Sequence, residues 1–494
     1  VYTYQLGIAL PLHMLARLFS GATIGQLDFL AQCVNAALGI AGAGVLAALA
    51  QELLDRRAAS ATLLLYIASL PTLLFAQFVY NINLMILLGA GAMLCFARYV
   101  RTGRVGFGLA YAALAGLATV AKPNAEIVLL ALLICALLHG WANRDMKIVY
   151  TPLHGTGVIL VPASLRKFGF RNIITVKEQN IPDGNFPTVV SPNPEERATM
   201  KMALDLAAKE KADLVLATDP DADRIGVAIP NENGEYILLN GNQTCALLTY
   251  YLIKRWSDLG RLDGKQYIIK TIVTTGLINR IAEAFGVKCF ECLTGFKYIA
   301  EIIREHEGKM QYIGGGEESF GFLAGDFVRD KDAVSACSLA AEAAAWARTQ
   351  GMTLYDLLKD IYVKYGFYKE AMVYIVRKGK EGADEIKKMM DDYRANPPKT
   401  IGGSPVITIK DYLSSESLDV RDGKRSTIGM EKSNVLQFST ENNTIVSIRP
   451  SGTEPKIKYY FGICEKLPSK EQFDAVQQKL DKRLKELETE LNLD

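Results

Sequence analysis

Hydrophobic residues are distributed differently in the first 145 positions than in the rest of the chain. Up to Asp145 they form long runs rich in Ala, Leu and Gly, interrupted by five acidic and eight basic side chains. A membrane-spanning helix needs about 20 mostly apolar residues, because an unpaired backbone amide is too costly in hydrocarbon. The pattern predicts an all-α membrane segment over 1–145. Its predicted spans are 27–50, 60–80, 82–98, 105–121 and 125–142, and 1–20 is interrupted by Pro11, His13 and Arg17.

The basic residues of this segment predict its orientation. The span count places one group of them in loops on a single side: Arg56, Arg57, Arg98, Arg101, Arg104, Arg144 and Lys147. Only Lys122 falls on the other side, and the positive-inside rule makes the arginine-rich side cytoplasmic. We therefore expect a lipid bilayer as the partner of 1–145 and a cytoplasmic location for the rest. The alternative is a buried helical bundle.

From Met146 onward, short apolar strands alternate with amphipathic helices, which is the pattern of α/β domains with parallel sheets. The predicted strands of the first part are 147–150, 172–176 and 214–218, with helices at 161–168 and 199–210. A second part repeats the pattern with strands at 267–271, 288–291 and 311–313 and a helix at 277–285. The last part has strands at 406–410, 435–439 and 444–449 before a charged helix at 470–491, which indicates a smaller α+β domain.

The length of 494 residues is too great for one compact core, so we expect several domains. The predicted boundaries are 1–145, 146–260, 261–370 and 371–494, with parallel or mixed sheets in the two middle domains. The net charge of +2 and the lack of basic patches interleaved with aromatic residues give no support for nucleic acid as a partner. The eight cysteines show no disulfide framework, as in a reducing compartment.

The strongest chemical motif is DPDADR, which follows the predicted strand 214–218. It places Asp219, Asp221 and Asp223 at alternate positions of a tight turn, where their oxygens can converge on a hard dication. Arg224, directly after them, offers a guanidinium fork to a phosphate. The alternative is a solvated acidic loop. We therefore predict a site for a hard divalent cation at this loop.

Two further motifs follow predicted strands. In GGGEESFGF, residues 314–322, glycines allow a close backbone approach while Glu317 and Ser319 can bind sugar hydroxyls, although a plain glycine-rich turn has the same composition. In RPSGTEPK, residues 449–456, side-chain donors and backbone amides suit an oxyanion such as phosphate, and a generic surface loop is the alternative. His154 in LHGTG and Lys297 in TGFK also follow strands, where open α/β sheets bind their ligands.

In this order and spacing, PLHGTG, DPDADR, TGFKYIA, GGGEESFGF and RPSGTEPK closely resemble the α-D-phosphohexomutase family, especially its phosphoglucomutase branch. The resemblance covers residues 146–467. It implies a four-domain mutase that interconverts hexose 1-phosphate and hexose 6-phosphate. The implied cofactors are Mg²⁺ and glucose 1,6-bisphosphate, the latter as activating intermediate. The run Glu317–Phe320 resembles the glucose-preferring branch, so glucose phosphates are the expected substrates.

The resemblance also implies roles for individual residues. Asp219, Asp221 and Asp223 hold the metal. His154, Arg224 and Lys297 face the reacting phosphate, and Glu317 and Ser319 bind the sugar. The residues implied for the non-reacting phosphate are Arg449, Ser451, Gly452, Thr453 and Lys456.

One family motif is absent from the sequence. The phosphoserine segment of the first domain, Thr-Ala-Ser-His-Asn-Pro, has no counterpart before Met146. Ser191 lies next to an Asn-Pro pair but belongs to the second-domain pattern, so we do not expect it to replace the nucleophile. We therefore expect no normal mutase cycle from this chain alone.

Why a membrane segment precedes a mutase admits several explanations. The first part has seven Arg to one Lys and the second is Lys-rich, which favours a fusion of two truncated proteins. The alternatives are a noncatalytic sugar-phosphate-binding module tethered to the membrane and a fragment of a membrane glycosyltransferase. Residues 116–123 weakly resemble glycosyltransferases that use lipid-linked sugars, but no catalytic carboxylate of that class can be identified.

Overall fold

The computed structural model describes residues 23–53, 60, 62, 82–102, 105–121, 145–377, 379–451, 455–491 and 493. The chain divides into two compact units, Val1–Trp141 and Ala142–Asp494. This division agrees with the change in hydrophobic pattern near Asp145. We refer to Ala142–Asp494 as the second unit.

The described part of the first unit is helical. Its helices are α1 (Ile24–Leu53), α2 (Ile82–Thr102) and α3 (Val105–Ala121). The side chains of Thr23 and Gln26 begin α1 with reciprocal bonds to each other's backbone N–H at 2.9 and 3.4 Å. Helices α2 and α3 pack through the small buried residues Ala92 and Ala118.

Among the described helices, α1 contains one segment long and apolar enough to cross a membrane, Phe29–Gln51, with a mean hydropathy of 1.9. This segment coincides with the predicted span 27–50. The spans 82–98 and 105–121 are helical, but their apolar segments, Ile86–Tyr99 and Val105–Ala118, are shorter. The predicted spans 60–80 and 125–142 lie almost entirely outside the described residues. A five-span membrane segment therefore stays a prediction.

The second unit begins with a five-stranded sheet in the order β2-β1-β3-β4-β5. Its strands are β1 (Lys147–Thr151), β2 (Asn172–Thr175), β3 (Leu214–Thr218), β4 (Ile225–Pro230) and β5 (Tyr236–Leu239). Helices α4 (Gly157–Lys167), α5 (Arg197–Glu210) and α6 (Gly241–Asp258) connect or follow these strands. Strand β1 pairs in parallel with β2 and β3, whereas β4 and β5 are antiparallel, so the sheet is mixed rather than wholly parallel.

The second sheet has four strands in the order β7-β6-β8-β9. Its elements are β6 (Gln266–Thr271), α7 (Leu277–Ala284), β7 (Lys288–Cys292), α8 (Phe296–His306), β8 (Gln311–Gly316) and β9 (Phe322–Ala324). The prediction that the third strand ends at Ile313 is wrong, because the three glycines continue it. A Cβ atom on Gly315 would lie 2.1 Å from the carbonyl oxygen of Ile269, so only glycine permits this close strand pairing.

The third sheet is antiparallel and has the order β10-β17-β16-β15-β12-β13-β14. Its strands are β10 (Phe367–Val376), β11 (Thr400–Ile401, paired with β12), β12 (Ser404–Asp411), β13 (Glu416–Asp419), β14 (Arg425–Thr427), β15 (Leu436–Thr440), β16 (Ile445–Pro450) and β17 (Lys456–Glu465). Helices α11 (Gly379–Ala395) and α12 (Phe473–Glu490) belong to the same part of the chain, which is the predicted α+β architecture.

Helices α9 (Ala333–Thr349) and α10 (Leu354–Tyr365) join the sheets. Helix α9 follows the second sheet in the chain but packs on α4 of the first, where Ser164 and Ser338 share a hydrogen bond of 2.7 Å. A single buried core therefore extends over residues from all three sheets. The predicted boundaries at 260 and 370 remain predictions, and the third sheet begins before the second of them, at Phe367.

Candidate active site

The DPDADR motif forms a tight loop directly after the fully buried strand β3. One carboxylate oxygen from each of Asp219, Asp221 and Asp223 lies within 4.8 Å of the others. Asp219 Oδ1 accepts hydrogen bonds from the backbone N–H groups of Asp223 at 3.0 Å and Arg224 at 2.9 Å. These bonds close the loop and direct the three carboxylates toward one point.

The electrostatics of this loop fit a bound dication. Burial raises the pKa of Asp219 to about 7, a backbone hydrogen bond from Arg224 opposes the shift, and the charges of Asp223 and Asp221 raise it further. Asp221 is exposed and therefore accessible from solvent. Crowded carboxylates that repel one another are the donor set that Mg²⁺ or Ca²⁺ neutralises.

Two cations lie beside the acidic cluster. Lys331 donates a hydrogen bond from Nζ to Asp223 Oδ2 at 2.6 Å. The Nε atom of Arg224 lies 3.8 Å from Asp219 Oδ2 and 3.9 Å from Asp223 Oδ1. Its Nη1 atom lies 3.6 Å from Oε1 of Glu195. Arg224 therefore lies beside the carboxylates of the loop Asp219–Asp223, which we call the metal loop.

The loop Glu317–Gly321 follows the three glycines, and we call it the sugar loop. It lies directly against the metal loop. Ile225 donates its backbone N–H to the carbonyl oxygen of Phe320 at 3.0 Å, and Arg224 and Gly321 form a β-bridge. Burial raises the pKa of Glu317 to about 7, the neighbouring Glu318 raises it further, and Lys331 and a hydrogen bond with Ser319 oppose the shift. The structure therefore brings Glu317 and Ser319 together with the metal loop.

His154 is buried, and both of its ring nitrogens are bound within the protein. Nδ1 lies 2.9 Å from the carbonyl oxygen of Ile181, and Nε2 lies 2.8 Å from Oγ1 of Thr188. Since a carbonyl can only accept, Nδ1 carries the proton. Within the PLHGTG segment, Thr156 contacts the metal loop. Its N–H donates to the carbonyl oxygen of Pro220 at 2.8 Å.

The RPSGTEPK segment joins β16 to β17. Gly452 and Thr453 lie outside the described residues. Ser451 donates its N–H to the carbonyl oxygen of Lys456 at 2.7 Å, and Lys456 Nζ lies 4.4 Å from the centre of the Tyr374 ring. Burial raises the pKa of Tyr460 to about 12, with Glu318 raising and Arg449 lowering it. Arg449 and the sugar loop therefore act on the same tyrosine.

Family models match most of the region that carries this geometry. The model "Phosphoglucomutase/phosphomannomutase, alpha/beta/alpha domain II" matches residues 137–234, and the corresponding domain III model matches residues 240–365. Residues 137–234 and 240–365 thus match two consecutive domains of the phosphoglucomutase/phosphomannomutase family. This result confirms the resemblance drawn from the motifs.

The curated relatives are longer than the matched part of this chain. The chain is 40% identical over 339 residues to phosphoglucomutases of Staphylococcus aureus strains N315 and MRSA252, an alignment that covers 69% of this chain and 60% of each relative. Among solved structures, it is similar to a putative phosphomannomutase from Thermus thermophilus, with 19% identity and a TM-score of 0.46 over 67% of this chain and 59% of that one. A phosphoglucomutase from Paramecium, parafusin, has 17% identity and a TM-score of 0.47 over 72% and 60%.

Lys297 lies in the first turn of α8 and is exposed. Its Nζ atom lies 4.6 Å from the centre of the Tyr298 ring. The side chain borders a cavity of about 710 Å³. The other residues around the cavity are Tyr298, Ala300, Glu301, Arg304, Glu307, Arg329, Asp330 and Glu431. Because Arg329 and Asp330 directly precede Lys331, Lys297 is near the segment that contacts the metal loop.

Sequence reasoning missed two cations of the mutase part. Lys331 lies in an Asp-Lys-Asp run whose last member, Asp332, caps α9, so the run has the composition of an ordinary helix start. Lys458 on β17 lies opposite Arg449 on β16. Its charge also acts on Glu195: burial raises the pKa of Glu195, and the charges of Arg224 and Lys458 oppose that increase. Lys458 lies two residues after Lys456 on the same strand, so the alternation of side chains along the strand could have indicated it. The local sequence around Lys331 gives no such signal, because its partner Asp223 comes close only in the folded structure.

Proposed function

We propose that the second unit binds Mg²⁺ and a hexose phosphate and that it is the metal- and sugar-binding part of a phosphoglucomutase. The complete enzyme would interconvert hexose 1-phosphate and hexose 6-phosphate, with glucose 1,6-bisphosphate as activating intermediate. The observation that carries the proposal is the backbone bond between Ile225 and Phe320, which joins the metal loop to the sugar loop. Lys331 reinforces it, because it bonds Asp223 and its charge acts on Glu317.

The proposed metal ligands are Asp219, Asp221 and Asp223. When bound, Mg²⁺ would neutralise charge on the phosphoryl oxygens, which is the main requirement of phosphoryl transfer. Arg224 would donate to the same phosphate, because its guanidinium already borders two of the carboxylates. Lys331 would exchange its bond to Asp223 for one to the phosphate. His154 would position the loop 181–188, since both of its ring nitrogens are bound there.

The other end of the substrate would be held by two groups of residues. Glu317 and Ser319 would bind sugar hydroxyls. The non-reacting phosphate would be held by Arg449, Ser451, Gly452, Thr453 and Lys456. Fixing the distal phosphate lets binding energy far from the reaction orient the sugar for either hydroxyl. Lys297, exposed beside the cavity, would contact the substrate from a second side.

The nucleophile is the missing part of the proposed cycle. The 494 residues contain no Thr-Ala-Ser-His-Asn-Pro segment, and the chain spans 60% of the length of the curated relatives that it matches. Without a phosphoserine, the site has no group that can give a phosphate to the sugar and recover it. We therefore propose that this chain binds hexose phosphates and turns them over only when a first domain is supplied.

A coupled assay for conversion of glucose 1-phosphate to glucose 6-phosphate tests the proposal, with Mg²⁺ and a trace of glucose 1,6-bisphosphate. Calorimetric binding of glucose 1-phosphate is measured in parallel. We expect binding without turnover, loss of Mg²⁺-dependent binding in Asp221→Ala, and wild-type binding in Asp205→Ala, which removes an exposed carboxylate on α5. Absence of binding would refute the proposed site. Turnover by the purified chain would refute the proposal that the chain lacks a nucleophile.

A second candidate is a sugar-phosphate-binding module tethered to a membrane. The supporting observation is the apolar segment Phe29–Gln51 in α1. Under this proposal the first unit lies in the bilayer and the second unit in the cytoplasm. Retention of the full chain in membranes after alkaline carbonate washing would support it. Sequencing of transcripts across residues 141–146 would decide between a native junction and a fusion of two truncated genes.

A further inference from the structure

Lys270 is a buried cation that none of the proposed roles uses. It lies at the end of β6 with a relative exposure of 3%. Its Nζ atom donates to the carbonyl oxygens of Thr271 at 3.2 Å and Thr274 at 3.1 Å, and it lies 3.0 Å from Oε1 of Glu291. A buried ammonium with three acceptors determines the local backbone conformation strongly, because each lost bond would leave a charge unsatisfied.

The two carbonyl groups that Lys270 binds belong to a turn that holds the sugar loop. The hydroxyl groups of Thr271 and Thr274 donate to Oε2 of Glu318 at 3.0 and 3.2 Å. Glu318 stands between the proposed sugar-binding residues Glu317 and Ser319. Its carbonyl oxygen would lie 1.9 Å from a Cβ atom on Gly241, so the backbone here is also closely packed. The turn therefore restrains the side chain of Glu318, and Gly241 at the start of α6 restrains its backbone.

The same turn also contacts the sheet that carries the phosphate segment. Gln437 on β15 donates from Nε2 to the carbonyl oxygen of Ile272 at 3.1 Å. Burial raises the pKa of Glu370 on β10 to about 7, and a hydrogen bond with Thr275 partly offsets this increase. Residues 271–275 thus touch the sugar loop on one side and the third sheet on the other.

Glu291, the ion-pair partner of Lys270, also interacts with residues from both the second and the third parts of the fold. Asn279 on α7 donates to Oε1 of Glu291 at 3.0 Å. Burial raises the pKa of Glu291, but the charge and hydrogen bond of Lys270, the bond from Asn279 and the charge of Lys410 together lower it. Lys410 belongs to β12 of the third sheet. Glu291 therefore favours its ionised form and stays paired with Lys270 beside the turn.

We infer that Lys270 is a positioning residue, which acts through the turn 271–275 to align the sugar loop with Arg449 on β16 of the third sheet. The inference rests on the proposed function and extends it. A hexose phosphate engages both elements at once, so its affinity depends on their relative placement. Inorganic phosphate occupies one phosphate position at a time, beside the metal loop or at Arg449, so its affinity does not depend on the alignment of the two elements.

Calorimetric titrations of the full chain with Mg²⁺ test this inference, using glucose 1-phosphate and inorganic phosphate as separate probes. Lys270→Met should weaken glucose 1-phosphate binding about tenfold and leave phosphate binding within about twofold, since small misplacements of binding groups are costly. Glu318→Gln should behave similarly. The double variant should lose little more than either single variant, because both changes act through one network.

The matched control is Lys359→Met. Lys359 is also buried, at a relative exposure of 6%, and pairs with Glu232, but the described contacts connect it to Tyr355 and Phe473 rather than to the site. The Lys359→Met variant should bind both probes with wild-type affinity. If Lys270→Met does not fold, the double change Thr271→Val with Thr274→Val replaces it, because it removes the hydroxyl bonds to Glu318 and keeps the ion pair.

Three outcomes would overturn the inference: wild-type binding of glucose 1-phosphate by the variants, an equal loss for both probes, or additive losses in the double variant. An equal loss for both probes would assign Lys270 a purely structural role. Failure of the wild-type chain to bind glucose 1-phosphate is a distinct result, since it refutes the proposed function itself. A selective and non-additive loss supports the positioning role.

Discussion

The carbonyl oxygen of Pro220 accepts two hydrogen bonds from Thr156, one from its backbone N–H at 2.8 Å and one from its hydroxyl at 3.1 Å. Pro220 lies between the first two carboxylates of the metal loop. The neighbouring Gly155 approaches the same residue so closely that a Cβ atom there would lie 2.4 Å from the Cα of Pro220. The segment after β1 therefore supports the metal loop through backbone contacts.

This contact makes Gly155→Ala a test of the metal loop. The added methyl group must displace the backbone of Pro220, and overpacking of this kind costs about 1–3 kcal/mol. We expect a lower unfolding free energy and an affinity for Mg²⁺ that falls about tenfold, measured by calorimetry. Gly184→Ala is the control, because a Cβ atom there has no neighbour within 4 Å. Unchanged Mg²⁺ affinity in Gly155→Ala would show that the contact does not position the carboxylates.

Replacing Lys331 should change metal and sugar binding in opposite directions. Its ammonium bonds Asp223 at 2.6 Å and thus competes with a cation for that carboxylate. In Lys331→Met we expect Mg²⁺ affinity to rise about fivefold, because a nearby positive charge is removed. Affinity for glucose 1-phosphate should fall about tenfold, because a donor to the phosphate is lost. Lys209→Met, an exposed change on α5, should alter neither titration, and weaker Mg²⁺ binding by Lys331→Met would contradict the expected competition.

Removing the charge of Asp219 should stabilise the fold without metal but abolish its stabilisation by Mg²⁺. Asp219 is buried and repelled by Asp221 and Asp223, while an asparagine can still accept the two backbone bonds at Oδ1. We expect Asp219→Asn to raise the unfolding free energy without metal by about 1 kcal/mol, as relief of strain at a functional site does. The stabilisation by added Mg²⁺ should disappear. Thermal unfolding with chelator and with Mg²⁺ measures both effects, and a variant that Mg²⁺ still stabilises would exclude Asp219 as a ligand.

Glu370 predicts a pH dependence of stability. Burial raises its pKa from 4.5 to about 7, and its Oε1 atom has no hydrogen-bond partner among the residues that the structure describes. A carboxyl group whose pKa is higher in the folded state favours folding below pH 4.5 and loses this contribution as pH rises through 7. Glu370→Gln should therefore match the wild type near pH 4.5 and be about 2 kcal/mol more stable at pH 8.

Urea unfolding of the full chain at both pH values measures the difference. Glu381→Gln on α11 is the control, because Glu381 is an exposed carboxylate outside the core. It should leave the pH dependence of the wild type unchanged. Equal stability of Glu370→Gln and the wild type at pH 8 would mean that the buried carboxyl group costs nothing when ionised.

The local pattern alone predicted much of the fold. Strand β3 has the predicted bounds, Leu214–Thr218, because a fully apolar run that ends at an Asp-Pro turn has one favourable structure. Helix α7 begins at the predicted Leu277 and ends at Ala284, one residue before the predicted end. The acidic cluster was also predictable, since Asp219, Asp221 and Asp223 lie within five residues of one chain segment, and a local turn suffices to bring them together.

Other features depend on contacts between segments that are far apart in the sequence. Whether the glycines 314–316 form a turn or a strand depends on how closely β6 approaches them, and Ile269 decides this. His154 follows a strand as predicted, yet its partners Ile181 and Thr188 come from a separate loop. Lys331 contacts Asp223 only after two sheets pack together, and Lys270 acts on the sugar loop through Thr271 only after β6 and β8 pair. Local sequence thus determined which groups are present and which strands carry them. The tertiary structure determined their partners, because hydrogen bonds and ion pairs depend on distances that separate segments acquire only on folding.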